Sequence, residues 1–151
     1  MKQSFTITSK LRPEHRPALE QLLFFNPQQD AIRERIVATI EQYGIPDVVA
    51  RDGALRISLG GRTDVQSLFA IAGSGDSDQP VGVAVFVREG TERFVVVHVG
   101  VAEAYGSNGP HRDEHLLFHL VQAIRSAARR TRGVRYVDLF YGAGRVRQIP
   151  V

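Results

Sequence analysis

A chain of 151 residues with 43% apolar residues is the size of one domain and long enough to close a packed core. It contains no cysteine, which excludes disulfides, thiolate catalysis and thiolate metal sites. Its net charge of +3 arises from 19 basic residues, all arginine except Lys2 and Lys10, interspersed with 16 acidic ones, so charge balance alone does not point to nucleic acid.

No apolar run approaches the ~18 residues of a membrane span. The opening MKQSFTITSK lacks the apolar segment of a signal peptide. The expectation is a single domain over residues 1–151, cytoplasmic, without membrane association.

Ser4 to Ser9 alternates apolar and polar residues and predicts a first strand. Pro13 to Phe25 predicts a helix with Leu19, Leu22 and Leu23 inward, stopped at Asn26-Pro27. Gln29 to Tyr43 predicts a second amphipathic helix ended by Gly44 and Pro46. Val48 to Leu59 reads as a hairpin about Asp52-Gly53, a favoured tight-turn pair. Val65 to Ala72, Val81 to Arg88 and Arg93 to Val101 then predict an antiparallel meander, with a polar loop between the first two and Glu89–Glu92 as a tight turn.

The stretch from Arg93 to Tyr141 organises the chain. FVVVHVGV is a strand apolar enough to be buried on both faces. A helix pattern follows, with Leu116, Leu117, Leu120, Val121, Ile124, Ala127 and Ala128 on one arc. Gly133 after a basic last turn suits its C-terminus. VRYVDLFY is a second strand, parallel to the first. The loop between strand and helix, Gly106 to Arg112, is a natural anion site, because first-turn N–H groups have no partner within the helix. Asp113 and Glu114 in the same turn themselves complement the helix dipole and oppose a phosphate.

This order of elements resembles the GNAT acyltransferase superfamily over roughly residues 4 to 141. VGVAVFV, FVVVHVGVAEAY and the helix-strand pair after them carry the likeness. Val101 and Tyr105 match a V-x-P-x-Y segment in which Glu103 replaces the proline. Gly106-Ser107-Asn108-Gly109-Pro110-His111-Arg112 stands where the family has a loop like R/Q-x-x-G-x-G/A, and is about two residues longer.

The resemblance implies an α/β (α+β) fold, a mixed and mostly antiparallel sheet with flanking helices, here ending after the parallel strand unless the tail folds back or pairs with a second subunit. It implies acetyl-CoA as acyl donor and a small-molecule or protein amine as acceptor. The backbone of Val99, Gly100 and Val101 would hold the pantetheine arm. Gly106, Ser107, Asn108, Gly109, His111 and Arg112 would hold the pyrophosphate. His98, the polar interruption of its strand, is one candidate base and Glu103 another. Tyr141, at a strand end, substitutes for the family's tyrosine acid. Phe24, Phe25 and Tyr43 either wall the acceptor cleft or belong to the core.

The altered loop and the ten residues after Tyr141 equally fit a non-catalytic GNAT-like module that binds a ligand or protein. An open edge on the last strand would then be covered in a homodimer. His111, His115 and His119 have metal-compatible spacing, but His115 and His119 lie nearly opposite the apolar arc, and no metal is expected. No aromatic residue lies between Arg125 and Arg135, so that basic run reads as a solvated helix end and no nucleic-acid partner is expected.

Overall fold

The computed structural model describes residues 4–24, 43–60, 62, 64–106, 108–140 and 146–151. Strand β1 (Phe5–Thr8) leads through a 3-10 turn at Pro13–His15 into helix α1 (Arg16–Phe24). Pro13 suits the first position of that turn, where an N–H would have no partner. Strands β2 (Pro46–Arg51) and β3 (Ala54–Leu59) form a separate two-stranded hairpin. Asp52 and Gly53 both take positive φ, 54° and 78°, as the predicted two-residue turn requires. The helix expected over residues 29–43 lies outside the described residues except for Tyr43. Phe25, Ser107 and Tyr141 also lie outside them.

Strands β4 (Gln66–Ala72), β5 (Gln79–Glu89) and β6 (Arg93–Val101) follow as the expected meander, then helix α2 (Leu116–Arg129), β7 (Tyr136–Phe140) and β8 (Val146–Pro150). The six-stranded sheet has the order β1-β4-β5-β6-β7-β8. Among the described strands only the β6–β7 pair is parallel.

Each face of this sheet carries its own core. Ala84, Phe86, Phe94 and Val96 pack with Leu116, Leu120, Ile124 and Ala128 of α2. Val83, Val85, Val87, Val95 and Val97 pack with Leu19, Leu22 and Leu23 of α1 and with Leu55, Ile57 and Leu59 of the hairpin. Covered faces explain why β5 and β6 read as continuous apolar runs. Full burial of each such aliphatic side chain contributes about 1.5–3 kcal/mol. Gly82 lets the start of α2 approach β5, since a Cβ there would lie 3.1 Å from Leu116 Cδ2 and 3.2 Å from Leu120 Cδ1.

Two expectations are corrected. The helix begins at Leu116, because His115 takes φ 53° after a 3-10 turn at Arg112–Glu114. Leu117, expected on the buried arc, is 53% exposed. The sheet also does not end after the parallel strand. The tail folds back as β8 and pairs with all of β7, from Tyr136 opposite Pro150 to Phe140 opposite Val146. Arg125 Nη2 donates to Pro150 O at 3.0 Å, and Val151 N–H to Arg135 O at 2.9 Å. Ten residues are too few for a helix and a strand, but enough for this return. The β7 edge that motivated a second subunit is therefore covered.

Candidate active site

The site is built by a mismatch in strand β6. Phe86 lies opposite Val96 and Val85 opposite His98, so Val97 is the extra residue of a β-bulge. β7 follows β6 only from Arg93 to Val96. β6 continues paired with β5 as far as Val101, whereas its pairing with β7 among the described residues ends at Val96. An unpaired strand edge of this kind can take up an extended ligand like an added strand.

The bulge also decides which way His98 faces. His98 pairs with Val85, a member of the α1-side core, while Val99 pairs with Ala84 and packs into the α2-side core. His98 is half-buried, with Nε2 closed to solvent. Glu103 is exposed in the 3-10 turn Glu103–Tyr105 just past β6.

The loop expected to cradle phosphate is folded on itself. The N–H of Gly106 bonds Glu103 O, that of Gly109 bonds Gly106 O, and that of His111 bonds Ala104 O, at 3.1, 3.0 and 2.8 Å. The N–H groups of Arg112, Glu114 and His115 are likewise bonded to carbonyls of residues 109, 111 and 112. Gly109 is a packing requirement, since a Cβ there would collide with the backbone at Glu103 and Ala104. The His111 ring stacks on Tyr105 with centroids 4.8 Å apart, and its Nδ1 lies 2.7 Å from Glu114 Oε2. Asn108 is exposed.

A cavity lies one turn later, at the start of α2. The N–H groups of Leu116 and Leu117 open α2 and have no intrahelical partner. They border a shallow cavity of about 350 Å³ lined by Tyr105, Gly106, Arg112, His115, Leu117 and Phe118. Arg112 is 60% exposed, with its Nε 3.9 Å from Asp113 Oδ1. Glu114 is drawn away from the cavity: it binds Ser4 and His111, and the Ser4 N–H, first among these partners, holds its carboxyl below the usual glutamate value. Leu117 and Phe118 are exposed apolar side chains at its rim.

The three histidines spaced by four residues disperse. His111 sits on Tyr105, His115 is exposed at the left-handed residue before α2, and His119 packs edge-on to Phe5 at 5.6 Å. Tyr43 is buried in the α1-side core. Burial, then Glu89, raises its phenol pKa.

A polar pair on the α1 side escaped sequence reasoning. Asp138 on β7 is 2% exposed, with Oδ2 3.1 Å from Arg93 Nη1 and Oδ1 without a hydrogen bond. It alternates with Val137 and Leu139, which pack on the α2 side. An aspartate inside the apolar run VRYVDLFY was the available signal.

No family profile matches this sequence. No characterised protein sequence matches it either. Among solved structures it is similar to a GNAT family acetyltransferase from Elizabethkingia anophelis with acetyl-CoA bound, at 14% identity and a TM-score of 0.50. The alignment covers 91% of this chain and 65% of that one. The fold is that of the GNAT acetyltransferases. An acetyltransferase from Streptococcus agalactiae aligns at 14% identity and a TM-score of 0.49, over 91% of this chain and 73% of its own. This chain therefore spans less than two thirds of the length of the Elizabethkingia enzyme. Within the GNAT-like sheet, the expected meander and parallel unit are both present, with β8 closing the β7 edge. No helix among the described residues is long and apolar enough to cross a membrane.

Proposed function

We propose that this chain transfers an acetyl group from acetyl-CoA to an amine of a small molecule or protein. The observation that carries this reading is that the pairing of β6 with β7 among the described residues ends at Val96, while β6 runs on beside β5 to Val101. The pantetheine amides pair with the backbone of Val99 to Val101. The pyrophosphate rests at the start of α2, against the N–H groups of Leu116 and Leu117 and the guanidinium of Arg112.

The neutral amine attacks the thioester carbonyl, and the C–S bond breaks with coenzyme A leaving as its thiolate. His98 takes the proton released by the amine, from the α1 side of the sheet. Glu103 is the alternative base, and Tyr141 the candidate proton donor to the thiolate.

Purified protein, acetyl-CoA and a panel of primary amines test this reading through thiol release. Turnover that falls about a hundredfold in His98→Ala supports the assigned base. Turnover unchanged in that variant assigns the proton to another group. The internally bonded loop from Gly106 to His115 favours a second reading, a non-catalytic ligand- or protein-binding module. Saturable acetyl-CoA binding without turnover on any amine distinguishes it.

A further inference from the structure

A second cavity, of about 650 Å³, lies between the β2–β3 hairpin, the start of β4 and the C-terminal end of α2. Ligand pockets commonly fall between roughly 300 and 1,000 Å³. Among the described residues its charged lining is cationic: Lys10, Arg51, Arg56, Arg62 and Arg130. Arg62 is already neutralised, by Asp64 at 2.7 Å and Glu89 at 3.0 Å. The side chains of Lys10, Arg51, Arg56 and Arg130 make no ion pair among the described residues.

The local excess is large for this chain. Four cations without an ion pair among the described residues gather around one cavity, more than the net charge of +3 of the entire chain. Strand alternation explains how they come to share a face. Val48, Leu55 and Ile57 go into the core, which turns Arg51 and Arg56 to the opposite face of the hairpin. Ser9, Ser58, Gln66 and Ser67 add neutral hydrogen-bonding groups to the lining. Asp47 shares the hairpin face but does not line the cavity. Like charges held about one concavity repel one another, and a multiply charged anion between them removes that repulsion. Arginine forks match the oxygens of a phosphate group in pairs.

We propose that this cavity is a binding site for a compact small molecule carrying two or more phosphate groups. It lies at the far end of α2 from the candidate pyrophosphate cavity. Fourteen helical residues at about 1.5 Å each separate the two by roughly 20 Å. The inference therefore stands apart from the acetyltransferase reading.

The test is a calorimetric titration of the intact protein with inorganic pyrophosphate at fixed ionic strength, repeated with ADP. The proposal predicts saturable binding, weakened at least about tenfold in Arg56→Glu and again in Arg130→Glu. Arg56 and Arg130 are exposed, so both variants keep their fold, which unliganded melting verifies. Equal affinities support free diphosphate as the source, and tighter ADP binding with the same arginine dependence supports a nucleotide. Absence of binding overturns the proposal, as does binding insensitive to both variants. Binding lost only in Arg112→Glu assigns the anion to the α2 N-terminus and also overturns it. A single-stranded oligonucleotide bound through Arg56 and Arg130 when neither pyrophosphate nor ADP binds would replace it with a nucleic-acid surface.

Discussion

Glu114 accepts the backbone N–H of Ser4 at 2.5 Å and its hydroxyl at 2.8 Å. One carboxylate just ahead of α2 thereby ties the first strand to the loop that borders the candidate pyrophosphate cavity. The same serine hydroxyl lies 2.5 Å from the Tyr105 hydroxyl. These bonds to the ionised form hold Glu114 below its ordinary value of 4.5. A carboxyl lowered in the folded state stabilises the fold above its unfolded pKa, and the gain is lost as pH falls through the folded value. Glu114→Gln is therefore predicted to melt earlier than the wild type near neutrality. The difference shrinks as pH falls below about 4.5, measured by thermal unfolding across an acid pH series.

Arg93 and Asp138 supply a second prediction. Asp138 is buried, while Arg93 is about half exposed. Removing the arginine leaves a buried carboxylate without its cation. Arg93→Ala is expected to destabilise the protein by about 3 kcal/mol, and Arg93→Ala combined with Asp138→Asn by less. A double-mutant cycle in chemical denaturation checks this.

Gly109 reports on the loop. Because a Cβ there meets the backbone at Ala104, Gly109→Ala is expected to cost about 1–3 kcal/mol and to open the turn between residues 103 and 111. Denaturation together with amide exchange at His111 measures both effects. A glycine kept only for phosphate access would leave stability unchanged.

Much of the fold was legible because its signals are local. The Asp52-Gly53 turn, the apolar runs of β5 and β6 and the α2 periodicity each declared themselves within a few residues. The start of α2 did not, since a left-handed His115 has no pattern in the sequence. The pairing of β8 with β7 depends on contacts such as Arg125 with Pro150, 25 residues apart. In the candidate site, His98 and the edge at Val99–Val101 follow from strand position. The loop was harder to read: glycines that suggest phosphate access also serve close backbone approach, and only the bonds from Gly109 and His111 tell the two apart. Asp138 was missed because burial of one aspartate depends on which neighbour, here Arg93, the parallel register brings beside it.

Phe118 separates ligand binding from folding. It is 58% exposed at the rim of the cavity at the start of α2. Phe118→Asp is expected to change stability by less than about 0.5 kcal/mol. It also places a carboxylate beside the pyrophosphate position, so acetyl-CoA affinity should fall about tenfold or more, read by calorimetry.

The central claim is that the edge of β6 at Val99–Val101 and the start of α2 hold an acyl-coenzyme A. Thermal unfolding with increasing acetyl-CoA tests it most directly, in the wild type and in Arg112→Glu. A ligand that binds the native state alone raises stability by about 2.7 kcal/mol at a hundredfold excess over Kd. The account predicts a saturable upward shift in the wild type that is strongly reduced in Arg112→Glu. No shift at millimolar acetyl-CoA, or the same shift in both proteins, contradicts it.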